Sequence, residues 1–143
     1  MSWDIFVQDL PQGIRSVDEL PSDFRPRPIG KRVDIIAAIK EIIPDADFSN
    51  PCWGMIEGAD YSIEVNLGQQ EILDGFALHV RGGSEEVSKV VLKLLRHLGL
   101  CGIDPSAYEI LTPKSLSAPG FRRWKDFRDR VIGQGDDGAG GGT

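Results

Sequence analysis

The chain has 143 residues, 41% of them hydrophobic and 27% charged, the balance of an ordinary globular protein with one sizeable core. Its formal net charge of -6 argues against a nucleic-acid partner, which calls for a basic surplus. Two cysteines and two histidines without metal-ligand spacing leave no cofactor or metal to expect, and no window approaches the apolar length of a membrane span.

In chain order, Trp3, Ile5 and Val7 alternate with Asp4, Phe6 and Gln8, which predicts a half-buried strand. Pro11, Pro21, Pro26 and Pro28 then rule out a continuous helix or central strand. This long connection, with one short helical turn near residues 16–20, is expected to pack over an edge of the sheet or a pocket mouth. Residues 31–43 read as a helix whose apolar face is Ile35, Ile36, Ile39, Ile42 and Ile43, with Pro44 after its end. Three strands follow. The first two are joined by a tight turn at Gly58-Ala59, the last two by residues 68–71.

The clearest helix runs over residues 84–98, where Val87, Val90, Val91, Leu94, Leu95 and Leu98 recur at helical spacing. Ser84 reads as its N-cap, and Gly99 as its stop, with Leu100 folding back on the last turn. A closing strand or hairpin flanks Asp104-Pro105-Ser106. Phe121, Trp124, Phe127 and Val131 then line one side of a short helix, in which residues 121–132 carry five basic and two acidic side chains. That helix is expected to dock on its own acidic domain; a partner-binding or membrane-touching helix is the alternative. Residues 133–143 hold no core-forming side chains and are predicted to be disordered.

These elements predict an α+β fold. A mostly antiparallel sheet, in the order β-α-β-β-β-α-β, carries two amphipathic helices on one face, plus a C-terminal helix. Residues 1–113 form the single domain, 114–132 a linker and basic helix, and 133–143 the tail.

Helices on one side direct attention to the other. Pairing Leu67 with Ile72 sets Ile63 opposite Phe76, Tyr61 opposite Leu78 and Glu64 opposite Gly75, apolar against apolar on the inner face. Pairing Glu57 with Asp60 brings Trp53 beside Glu64 and Met55 beside Ser62. The open face then gathers Trp53, Glu64, Asn66, His79 and Arg81, joined by Met55 and, if the first strand enters with Ile5 and Val7 inward, by Phe6 with Asp4 and Gln8: apolar area for affinity, polar groups for orientation. Gly82-Gly83-Ser84 at a helix start raises the thought of an anion site. Glu85 and Glu86 in the first turn repel an anion, however, and no phosphate-loop lysine is present.

Three stretches, WDIFVQDLP, DADFSNPCWG with YSIEVNLG, and FALHVRGG ahead of a helix, together resemble a family of small stand-alone bacterial proteins of unassigned function. The resemblance covers about residues 2–112. It implies a cytoplasmic, single-domain α+β protein and brings no catalytic residues with it. Cys52 and Cys101 as unpaired thiols, and a start without an export signal, fit the same expectation. Small acidic bacterial α+β proteins of this kind include immunity proteins that neutralise toxins, a likeness of fold class alone. The leading expectation is a non-enzymatic module that binds another protein through the open face or an acidic edge. Two alternatives stand beside it: a small-ligand binder or enzyme using Glu64, His79, Arg81 and Trp53, and a homo-oligomer that buries the open face.

Overall fold

Strict alternation along the strands decides which residues form the core. In the computed structural model, which describes residues 2–115 and 117–138 and the side chains as far as Arg130, Trp3, Ile5 and Val7 are buried. So are Ile63, Val65, Phe76, Leu78 and Val80. Their strands are β1 (Trp3–Gln8), β4 (Tyr61–Asn66) and β6 (Gly75–Gly82). With β3 (Trp53–Glu57), β7 (Cys101–Asp104) and β8 (Glu109–Leu111) they form a six-stranded antiparallel sheet in the order β3-β4-β6-β1-β7-β8. The N-terminal strand is therefore central. A two-stranded ribbon pairs β2 (Gly30–Lys31) with β5 (Ile72–Leu73), and one 3-10 turn, Val17–Glu19, interrupts the proline-rich connection.

The helices share the inner face. Ile35 and Ile39 of α1 (Arg32–Ile42) pack into the same core as Val87, Val91, Leu92, Leu94 and Leu95 of α2 (Glu85–Leu98). Gly99 ends α2 in the left-handed conformation, and the Leu100 N–H donates to Leu95 O at 3.1 Å, the fold-back that closes a helix of this kind. Ser84 holds the N-cap position without a side-chain capping bond. Instead the first turn is tied by Arg122, whose Nε lies 2.8 Å from Glu85 Oε1. Gly83 is tightly enclosed: a Cβ there would sit 2.7 Å from Val87 Cγ1. At Gly82 a Cβ would likewise meet Asp60 O at 2.6 Å, so both positions call for glycine.

Arg122 belongs to α3 (Pro119–Gly138), which docks on the domain as a third helix. Phe121 is fully buried edge-on to Trp3, ring centroids 5.0 Å apart. Trp124 is buried beside it beneath the Arg128 guanidinium, which also donates to Gly83 O at 3.1 Å. Opposite Trp3, the Asp104 carboxylate is wholly buried. It accepts from Trp3 Nε1 at 2.9 Å, Ser106 N at 3.1 Å and Ser106 Oγ at 2.6 Å, so its charge is met on both oxygens. Gly120 of α3 lies so close to Asp104 that a Cβ there would collide with the carboxylate. The helix was expected to end near residue 132, but its backbone is helical through Gly138; the remainder of the expected disordered tail, residues 139–143, lies outside the described residues.

Two registers differ from expectation. Ile63 faces Val80 rather than Phe76, and Glu64 faces His79 rather than Gly75. The cause lies in residues 67–74, which do not close as a tight hairpin. Ile72 and Leu73 leave to pair with β2, and Arg32 holds the loop through Gln70 O and Glu71 O, both at 2.8 Å. In the first hairpin the central residues are Ala59-Asp60, with the Gly58 N–H donating to Tyr61 O at 2.9 Å. Trp53 therefore faces Asn66, and Met55 faces Glu64. Both slides are even, so every side chain keeps its predicted face.

Candidate functional site on the open sheet face

The registers align side chains into rows across the outer face. One row crosses all six strands: Trp53, Asn66, Ala77, Phe6, Ile103 and Ile110. The next holds Met55, Glu64, His79 and Asp4, and a third Glu57, Ser62 and Arg81. All five residues expected on this face, Trp53, Glu64, Asn66, His79 and Arg81, thus lie on one continuous patch. Its aromatic posts are exposed, Trp53 at 43% and Phe6 at 42%. Three strand spacings separate them, about 14 Å, with only Asn66 and Ala77 between.

Polar side chains stiffen the patch. His79 Nδ1 lies 2.8 Å from Asp4 Oδ1. A carboxylate only accepts, so Nδ1 carries the proton and Nε2 is left free of it when the ring is neutral. Trp53 reaches across β4 and stacks on the same ring, centroids 6.4 Å apart and planes 23° from parallel. Arg81 pairs with Glu64. Asp4 is the member that sequence reasoning placed on this face without a partner. Alternation signals its direction, but that β1 lies next to β6 is written in no local pattern.

The hydrogen-bond order around Asp4 differs from that of an activated nucleophile. The Ser2 hydroxyl donates to Asp4 Oδ1 at 2.6 Å, the same oxygen that holds His79. The order is hydroxyl to carboxylate to imidazole, whereas activating a nucleophile requires the imidazole to take the hydroxyl proton. Glu64 is engaged by Arg81. Two cavities, one beside Leu10 and Cys101 and one beside Lys89 and Arg96, are lined by none of the five residues. No group of three or more His, Cys, Asp or Glu side chains among the described residues could hold a metal ion, and none of the described helices is long and apolar enough to cross a membrane.

Each sheet edge carries one isolated bridge. Asp47 exchanges two backbone hydrogen bonds with Met55 of β3, at 2.8 and 2.9 Å, and Ser16 bridges to Glu109 of β8. A partner strand added at either edge would have to displace or avoid these bridged residues.

Comparison with family models, with curated proteins and with solved structures returned no significant match to this chain.

Proposed function

We propose that this protein is a non-enzymatic interaction module that receives a protein partner on the open face of β3, β4, β6 and β1. One observation carries the reading. Two half-exposed aromatic rings stand on a patch whose polar side chains are already held in place by Asp4–His79 and Glu64–Arg81. Such a surface offers apolar area at little conformational cost, and aromatic anchors dominate binding energy where they occur. The patch carries Asp4, Glu57 and Glu64 against Arg81, and the chain is acidic as a whole, so a basic partner surface fits best. Neutralisation of a toxin, in the manner of immunity proteins, and kinship with small stand-alone bacterial proteins belong to the same proposal.

A photo-crosslinking residue tests it. Placed at position 53, it captures the partner, and the adduct disappears with Phe6→Ala; placed at Val33, an exposed position on α1, it captures nothing. Equal capture from both positions removes the open face from the reading. Self-association is distinguished by mass in solution, where an adduct of twice the chain mass that forms only from position 53 assigns the face to a second copy.

A further inference from the structure

The same outer face has a second, independent feature at its β7–β8 end. After β1 the chain turns back over the sheet, and residues 9–14 form one wall of a cleft of about 440 Å³. The floor and opposite wall come from Cys101, Ile110 and residues 112–114. The volume lies within the range of small-molecule sites, about 300–1,000 Å³. Leu10 and Ile110 are buried and Ile14 is half-buried, so the interior is largely apolar. Cys101 adds a wall of low polarity: burial, with Asp9 nearby, pushes its thiol above the ordinary range.

Charge at the mouth selects the ligand. Asp9 is already paired with Arg27 at 3.3 Å. Lys114 pairs with no carboxylate among the described residues. Arg96 adds a second cation beside the rim, its Nε bonded to Pro113 O at 3.3 Å. An apolar interior with uncompensated positive charge at one lip suits a molecule with an apolar body and a single anionic end. We propose that this cleft binds a small monocarboxylate with a hydrocarbon body, its carboxylate at Lys114 and its body between Leu10, Ile14 and Ile110. The site does not depend on the open-face reading, since Ile110 is its one lining residue in the Trp53 row and lies two strands beyond Phe6.

The test is an amide chemical-shift titration of the full chain with octanoate, and with octylamine as its charge-reversed counterpart. Octanoate is expected to give saturable shifts centred on Leu10, Ile14, Cys101 and Ile110, and octylamine none there. Lys114→Glu, at an exposed position, keeps the spectrum of the folded chain and weakens octanoate by about two- to fivefold. Octanoate also slows alkylation of Cys101 by iodoacetamide while leaving Cys52 unchanged, both being free thiols. The proposal is overturned by the absence of saturable shifts at about 10 mM, where even a Kd of about 1 mM is nearly saturated. Equal binding of octylamine, or protection of both cysteines alike, overturns it as well.

Discussion

Trp3 and Trp53 stand on opposite faces of one sheet and show what each face is for. Trp3 is 1% exposed, edge-on to Phe121 and hydrogen-bonded to a buried carboxylate. Trp53 is 43% exposed and rests on a histidine that is itself held by a carboxylate. Both are indoles near an aspartate. Around Trp3 every contact joins elements distant in the chain, with Asp104 and α3 closing over it. Around Trp53 the contacts order a surface and cover little of it. The first arrangement supplies stability, and the second keeps apolar area available in a defined shape.

The contrast is easiest to break at Trp3. Trp3→Ala should destabilise the fold by about 3–5 kcal/mol in chemical denaturation, because it empties a core site and strands Asp104. If Trp3→Ala cost no more than a surface change, α3 would not be docked as described. Asp104→Ala should come next, at about 1–3 kcal/mol, by leaving Trp3 Nε1 and the Ser106 donors unmet.

Glu109 offers a sharper test of the same region. It faces Asp104 across β7–β8, and burial pushes its carboxyl above the ordinary range; the Gly120 N–H draws it back only in part. A carboxyl raised in the folded chain contributes most below the ordinary glutamate range, near pH 4, and loses that contribution as pH rises through its raised value. Glu109→Gln should therefore melt higher than the parent at pH 8, with the gap closing towards pH 4. A gap that widened on acidification would reverse the assignment.

On the open face the expected changes in stability are smallest. Trp53→Ala should shift the unfolding free energy by less than about 1 kcal/mol, while abolishing binding of the partner that a crosslinker at position 53 captures. Arg81→Ala should fall within about 1 kcal/mol of the parent, as an exposed ion pair does. A large loss of stability from either change would move this face from recognition to structure.

Much of this division is legible in the sequence, for a definite reason. Alternation assigns each strand residue to a face, and it survives an even slide of register. Trp53, Glu64, Asn66, His79 and Arg81 could thus be placed together although both hairpin registers differ from expectation. What alternation does not carry is lateral order. Nothing near Asp4 says that His79 will be its neighbour, since β1 and β6 meet only through the tertiary fold. Asp104 reads locally as a turn residue ahead of Pro105, and its backbone does turn there. Its burial beneath α3 depends on Trp3, about a hundred residues earlier in the chain. The cleft beside Cys101 was equally hidden. The prolines after Gln8 signal a covering segment, but they do not say which strands it covers.

The central position of β1 also has a consequence in time. This strand leaves the ribosome before the rest of its sheet, yet its neighbours are β6 and β7, more than sixty residues further on. At about 5–20 residues per second, it waits several seconds with Trp3, Ile5 and Val7 unpaired before either partner exists. Such long-range pairing slows folding. Asp4 and Asp9 put negative charge within and just after the apolar strand during that interval, where charge discourages strand-to-strand association between nascent chains. The residue that later orients His79 would thus already serve as a gatekeeper during synthesis.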